Sequence, residues 1–404
     1  MKIALLSMTN ISVSNATGSL LARLFEGIPP DDIVQVTKYR HSDEVADRYT
    51  RHIPFYDFLE RQRASENRLV KLPAAALRRL LFPLMFFVGN KHSVLRQLRN
   101  FQPDLLYLRV VAEPFYYLPL ALFLKKNLGI PLVLHFMDDY DLHLQIEARK
   151  NPVRYIQSRL YRHFLRQVIA QSDLRFAISE NMARAFQTRY GASFLVAHNG
   201  IDREAFEWFQ SVKYEKARPK RVLWAGAIEV DKDHRIIHHI AGAIERINAD
   251  IPCEFLLNVP ENFATPAKKL ADRYATVRWQ TYQPLEAYKK LLATASVLII
   301  ARNFDEKTRA YTQFSFHNKL PDFLASGTPV LAIGPEWDNT VQLFKKYNFG
   351  PVIDQEDPNR IENELRSLLS DNAPNPSDPA RAARVFDMET IRQHFQTRLL
   401  KMIE

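Results

Sequence analysis

Short apolar runs alternate with longer amphipathic stretches along most of the chain. In the first half the runs are "KIALLS" (2–7), "LLYLRV" (105–110), "PLVLHF" (131–136), "LRFAIS" (174–179) and "SFLVAH" (193–198). In the second half they are "RVLWAG" (221–226), "CEFLLNV" (253–259), "SVLIIA" (296–301) and "PVLAIG" (329–334). Several are apolar throughout rather than at every second position, the pattern of strands covered on both faces. Helical spacing fills the gaps, for example at 18–24, 154–169 and 181–189. This alternation predicts an α/β architecture with doubly wound parallel sheets.

The rhythm breaks at "FQSVKYEKARPKR" (209–221), which is polar, basic and proline-containing. It divides the chain into an N-terminal domain (1–208), a linker (209–220), a C-terminal domain (221–385) and a last helix (386–404). Ile391, Phe395, Leu399 and Met402 share one face of that helix, which is expected to cover a sheet edge or cross between the domains. A length of 404 residues suits two domains.

Composition narrows the class. Apolar residues at 47% and charged residues at 25% fit a soluble globular protein with a large core. The single cysteine, Cys253, excludes an internal disulfide and suits a reducing compartment, so a cytoplasmic location is expected. The opening "MKIALLSMTN" has too short an apolar run for a signal peptide and reads as a first strand. The longest apolar run, "LLFPLMFFV" (80–88), falls far short of the ~20 residues of a membrane span. The formal charge of +10 points to an anionic partner. Between 61 and 99, nine Lys and Arg residues stand against one acid, Glu66, around that apolar run. An interfacial helix on an anionic membrane surface has this pattern, and so does a core-facing helix with a solvated basic face. Nucleic acid is not an expected partner, because no base-stacking or groove-reading motif accompanies the charge.

Ligands of open parallel sheets gather at the carboxyl ends of the strands, so polar residues there are the candidates for chemistry. The first strand leads through "MTNISVSNAT" to Gly18 and a helix start that could present amides to an anion, as an ordinary strand–helix turn also does. The third run leads into "HFMDDYDLH", where His135, Asp138 and Asp139 are expected to position an acceptor hydroxyl or take its proton. Helix capping by an Asp is the second reading of this turn. The Asp139-Tyr140-Asp141 form also suits a divalent cation, but no matching ligand set accompanies it, so no metal or cofactor is expected. Tyr282 and Arg302 follow two further strands. Lys319 and Asp322 share one turn in "NKLPDFLASGTPVLAIG" (318–334), where a surface ion pair is the plain alternative.

Three segments together resemble a known family. They are "SDLRFAISENMARAFQTRYGASFLVAHNGID" (172–202), "RVLWAGAIEVDKDH" (221–234) and the 318–334 stretch. In order and rough spacing they are similar to motifs of glycosyltransferase family 4 (group 1). The resemblance implies a GT-B fold, two facing Rossmann-like domains with parallel sheets. It also implies transfer of a sugar from a nucleotide diphosphate with retention at the anomeric carbon, without an Asp-x-Asp metal. By position, Lys232 takes the place of the lysine that meets the diphosphate, and Asp322 that of the second glutamate, which binds the ribose.

A leaving nucleoside diphosphate gains negative charge as the glycosidic bond breaks, so cations and amides must stand where that charge appears. Gly18, Gly226, Lys232, Arg302 and Lys319 are candidates, with Ser315, Phe316, His317 and Asn318 opening a helix toward the phosphates. Tyr282 is a candidate to lie against the nucleobase. The chain departs from the family pattern at Ala227, where an arginine is usual, at Phe314, where the first glutamate falls, and at Thr17-Gly18, where a double glycine is usual. The expected function is a retaining glycosyltransferase acting on a cell-surface polysaccharide or lipid-linked glycan, peripheral to the inner face of the cell membrane. A catalytically silent GT-B protein that binds a partner enzyme or glycan is the alternative that Ala227 and Phe314 motivate. A nucleotide-sugar epimerase acting on the donor alone is a third.

Overall fold

The apolar runs form the strands of two parallel sheets in a computed structural model that describes residues 1–55, 90–112, 116–149, 152–212, 214–228, 234–371 and 375–404. The first sheet holds β1 (Ile3–Thr9), β2 (Ile33–Tyr39), β3 (His52–Pro54), β4 (Leu105–Val110), β5 (Leu132–Phe136), β6 (Leu174–Ala177) and β7 (Leu195–Val196). The second holds β8 (Lys220–Ala225), β9 (Cys253–Val259), β10 (Val277–Thr281), β11 (Val297–Ala301), β12 (Val330–Ile333) and β13 (Val352–Ile353). Their orders are 3-2-1-4-5-6-7 and 10-9-8-11-12-13. In each, the first strand of the unit lies inside the sheet and the order reverses beside it, the Rossmann-like winding. The register places Ile3 between Ile33 and Leu105, and Val222 between Phe255 and Val297.

Strand β2 carries no apolar run, and its sequence shows why. "IVQVTKY" puts Gln35 and Thr37 on a buried strand. Burial of such groups is tolerable only with partners. The Gln35 Oε1 accepts from the Ile11 N–H at 2.7 Å, and Thr37 meets the His52 ring. The polar residues are therefore ties from the strand to the loop after β1 and to β3.

The chain divides into two compact units, residues 1–198 with 390–404, and residues 199–389. The stretch 209–220, read above as a linker, belongs to the second unit. Lys216 anchors it, donating to the Ala293 and Ala295 carbonyls at 3.0 and 2.8 Å and to the Thr328 hydroxyl at 3.0 Å. Burial pushes the Lys216 pKa down to about 8. The last helix, Met388–Leu400, carries the chain back to the first unit. Its Phe395 is fully buried against Phe25, Tyr107 and Phe176, with ring centroids 5.7, 5.9 and 4.9 Å away. Gln396 bonds the Leu24 and Glu26 carbonyls, and Arg392 pairs with Glu26. Of the four residues expected on one face, Phe395 and Leu399 are buried while Ile391 and Met402 are partly so.

The apolar run 80–88 and most of the basic stretch 61–99 lie outside the described residues. Among the described residues no helix is long and apolar enough to cross a membrane.

Replacing Phe395 by Ala should destabilise the first unit by about 3–5 kcal/mol, the usual result of emptying a buried aromatic site. Leu400→Ala, on the exposed side of the same helix, should stay within about 0.5 kcal/mol. Denaturant unfolding of the two variants, followed by circular dichroism, measures the difference.

Candidate functional site

At the end of β5 the first unit gathers acids and arginines. His135 is completely buried, with Nδ1 2.5 Å from the Tyr107 hydroxyl and Nε2 3.0 Å from the Ala197 carbonyl. A carbonyl can only accept, so Nε2 carries the proton and Nδ1 accepts from Tyr107. Burial pushes the His135 pKa down to about 3. His135 is thus a neutral ring with both nitrogens engaged, tying β4, β5 and the chain after β7.

Asp138 is a third exposed, and of the three acids here it is the most open. The Tyr140 hydroxyl donates to it at 3.1 Å, and the buried Arg109 guanidinium lies 3.6 Å away and over the Tyr140 ring. Burial raises the Tyr140 pKa to about 12, which keeps its hydroxyl a donor. Asp139 caps the helix Tyr140–Ala148 by accepting the Leu142 N–H at 3.2 Å, and it pairs with Arg189 at 2.8 Å. Asp141 is buried between Arg162 at 3.1 Å and the Tyr190 hydroxyl at 3.2 Å. Capping is therefore realised at Asp139, and both acids of the Asp-x-Asp form are matched by arginines. Among the described residues no group of three His, Cys, Asp or Glu side chains is gathered as a cation requires.

Gly18 lies in the helix Ala16–Leu24, and its N–H donates to the Asn15 cap at 2.8 Å. A Cβ there would stand 2.6 Å from the Ser12 carbonyl oxygen, so the close approach of the 10–12 loop demands glycine. The donors of this loop converge on an internal carboxylate. Asp43 accepts from the Ser12 hydroxyl, from the Ser14 N–H at 3.1 Å and from the Ser14 hydroxyl at 2.7 Å.

The second unit brings three of its candidates, Gly226, Arg302 and His317, together at the ends of β8 and β11. A cleft of about 80 Å³ is lined by Trp224, Gly226, Ala227, Ile299, Arg302 and His317. The Gly226 N–H donates to the Asn258 carbonyl at 3.0 Å, and its own carbonyl accepts from the Trp224 indole at 3.3 Å. A Cβ on Gly226 would find only ordinary contact, so openness of the backbone is the contribution of this glycine rather than a special conformation.

His317 feeds into this cleft with a buried Nδ1 that has no partner among the described residues. Burial, then the charges of Arg302 and Lys319, push its pKa well below the usual histidine value. Both cations thus stand close enough to act on one ring. Lys319 donates to the Tyr282 hydroxyl at 2.8 Å and lies 4.0 Å above the ring. Burial pushes the Lys319 pKa down to about 8, partly opposed by Asp322. Asp322 is partly buried in the first turn of the helix Leu320–Ala325.

The segment 315–318 was expected to open that helix, but the helix starts at Leu320 and residues 315–319 form the approach to it. The Ser315 carbonyl accepts from Asn339 at 3.2 Å, Phe316 packs on Phe386, and the Asn318 carbonyl accepts from Asn199 at 2.7 Å. That last bond joins the Asn-Gly-Ile-Asp segment to the Asn-Lys-Leu segment within one unit. Lys232 lies outside the described residues.

Two residues of this edge escape a reading by motif. Trp224 walls the cleft, and Asn258 has a buried side-chain amide with no partner for either end among the described residues. A polar residue closing the apolar strand "CEFLLNV" is the signal that marks Asn258.

Residues 46–205 match the family described as Glycosyltransferase Family 4. No curated protein matches the chain. Solved structures do. Sucrose-phosphate synthase from Thermosynechococcus elongatus is 13% identical with a TM-score of 0.68, over 99% of this chain and 98% of that one. A glycosyltransferase from Rickettsia africae is 10% identical with a TM-score of 0.65, over 100% and 99%. WaaG, a glycosyltransferase involved in lipopolysaccharide biosynthesis, is 15% identical with a TM-score of 0.57, over 98% and 95%. At such identities the likeness is one of fold: two α/β units with parallel sheets, the GT-B architecture. The family match covers residues 46–205 of the 404.

Proposed function

We propose that the protein is a retaining glycosyltransferase that moves a sugar from a nucleotide-diphosphate sugar to a cell-surface polysaccharide or lipid-linked glycan. The observation that carries this reading is the meeting of Arg302 and His317 at the Gly226–Ala227 strand end, with the Lys319 charge near enough to act on the His317 ring. Departure of a nucleoside diphosphate builds negative charge on the phosphate oxygens, and fixed cations in a water-poor cleft stabilise that charge most. An ammonium with a pKa near 8 is one whose surroundings give it too little counter-charge. A diphosphate supplies it. Arg302 provides the guanidinium that Ala227 lacks, Lys232 is placed on the diphosphate by resemblance, and Asp322 accepts from the ribose hydroxyls. Tyr282, with its ring half exposed beside Lys319, offers a face to the base.

On the first unit, Asp138 is the acid open enough to meet an acceptor hydroxyl, and Arg109 with Tyr140 holds it in place. His135 serves it from behind by fixing the end of β5. Asp139 and Asp141, each engaged by an arginine, are read as structural acids, and the reaction as one without a metal. Retention rests on the family resemblance. The cell-surface acceptor rests on that resemblance and on the likeness to a lipopolysaccharide enzyme. Attachment to the inner membrane face rests on the basic and apolar composition of 61–99.

A second reading has a specific observation behind it. Ala227 and Phe314 are apolar where the family carries an arginine and a glutamate, which suits a silent protein that binds nucleotide or glycan without turnover. Incubation with a panel of nucleotide-sugars, with products followed by proton NMR of the anomeric signals, separates the two. Hydrolysis or transfer with retained anomeric configuration supports the enzyme, binding without turnover supports the silent protein, and neither binding nor turnover contradicts both.

Two further outcomes are expected. Arg302→Ala should lower the transfer kcat by about 10²–10³-fold, the usual effect of deleting one charge-stabilising donor. Nucleoside diphosphate affinity should be level from about pH 7 to 8, because Lys319 is protonated there. Above its free pKa of about 8 binding must recruit a proton, so affinity should fall by up to about tenfold per pH unit. Lys319→Arg keeps the charge and should remove the decline. Calorimetric titrations across this range measure it, and a wild-type affinity level to pH 10 would show that Lys319 does not meet the phosphates.

A further inference from the structure

A second cavity lies in the first unit, and of the residues placed above only Arg189 and Tyr190 line it. It is a groove of about 610 Å³ lined by Arg166, Arg175, Arg189, Tyr190, Ile169 and the Gly191–Ala192 turn. Its volume is in the range of sites for small organic ligands. Its lining contains three guanidiniums and no carboxylate.

The three arginines are not equivalent. Arg189 is neutralised by Asp139 at 2.8 Å. Arg175 is held by backbone alone, its Nε donating to the Ile169 carbonyl at 3.1 Å and Nη2 to the Ser172 carbonyl at 2.6 Å. These bonds fix the plane of the guanidinium and leave the Nη1 donors over. Burial lowers its pKa, an effect that the charge of Asp173, itself paired with Lys125, opposes only in part. Arg166 is exposed, and among the described residues its side chain has no hydrogen-bond or ion-pair partner. Two guanidinium charges, one of them rigid, therefore face one groove without an acid.

We propose that this groove binds a phosphate monoester carried on a sugar-sized molecule. A monoester has close to two negative charges at neutral pH and three acceptor oxygens, which match two guanidinium forks better than a single carboxylate does. Ile169 and Ala192 supply the apolar wall against which a sugar ring can lie. The inference uses none of the residues that carry the donor reading, so it stands or falls separately from the transferase assignment. The same phosphate chemistry could arrive as a soluble phosphosugar or as a lipid headgroup.

Glucose 6-phosphate and, separately, phosphatidylcholine vesicles with and without phosphatidic acid are the probes. Saturable binding of glucose 6-phosphate, read by calorimetry, points to a soluble source, and binding to the phosphatidic acid vesicles alone points to a headgroup. Arg166→Glu should weaken whichever is seen by at least about tenfold. Arg175→Gln should do the same while keeping a donor for one of the two carbonyls. Arg398→Glu, an equal charge change on an exposed residue of the last helix in the same unit and outside 61–99, should leave binding within about twofold. Absence of binding to both probes, or equal losses for Arg166→Glu and Arg398→Glu, overturns the proposal.

Discussion

Burial of parallel strands on both faces is the constraint from which the rest follows. In a strand such as β4, in which all six residues are buried, the polar side chains of Tyr107 and Arg109 are kept only by internal partners, His135 for one and Asp138 for the other. All strands of a parallel sheet also end at the same edge. Polar residues are therefore driven to the turns after β5, β8 and β11, and residues far apart in sequence are collected there without any direct selection of one by another. The apolar cluster on one face of the second sheet shows the same logic. Val222, Phe255, Val297 and Leu331 belong to one apolar cluster, and the edge beyond it carries Gly226, Asn258 and Arg302.

The two strand-end clusters solve their electrostatics in different ways. In the first unit each acid after β5 has its own cation: Asp138 with Arg109, Asp139 with Arg189, Asp141 with Arg162. Removing any of these arginines would strand a carboxylate of which two are nearly buried. In the second unit the two cations also have acids near them, Asp338 by Arg302 and Asp322 by Lys319, but burial outweighs the help that Asp322 gives Lys319. Asp338, near Arg302, already accepts the Thr340 and Val341 amides as cap of its own helix. Lys319 rests on tyrosine rings, and His317 is kept neutral between two positive charges. A cluster balanced internally needs no ligand. A buried ammonium that its acid compensates only in part, as at Lys319, is suited to an anion.

The fold was legible because continuous apolar runs are a strong signal; β4 and β9 begin and end where the runs do. What the runs could not reveal was strand β2, whose buried Gln35 and Thr37 are satisfied by the loop after β1 and by His52 of β3. Nor could composition show that 209–220 is fastened to the second unit, since Lys216 reads as a solvated charge until its three acceptors are seen. In the candidate site, Arg302, His317 and Lys319 were legible by position. His135 was legible as a strand-end residue, but not the fact that Tyr107 and Ala197 occupy both its nitrogens. The same holds for Gly18, whose amide belongs to Asn15 and whose loop serves Asp43. Sequence spacing locates a side chain on an edge. Which hydrogen bonds it has already spent is decided by partners a hundred residues away.

The most direct measurement is a crystal structure of the protein grown with a saturating nucleoside diphosphate. The account requires density for the pyrophosphate at the Gly226–Ala227 turn, with the Arg302 guanidinium and the Lys319 ammonium within about 3 Å of its oxygens. Density in another place, or a Gly226–Arg302 cleft that stays free of the nucleotide while the ligand is demonstrably bound, would contradict it.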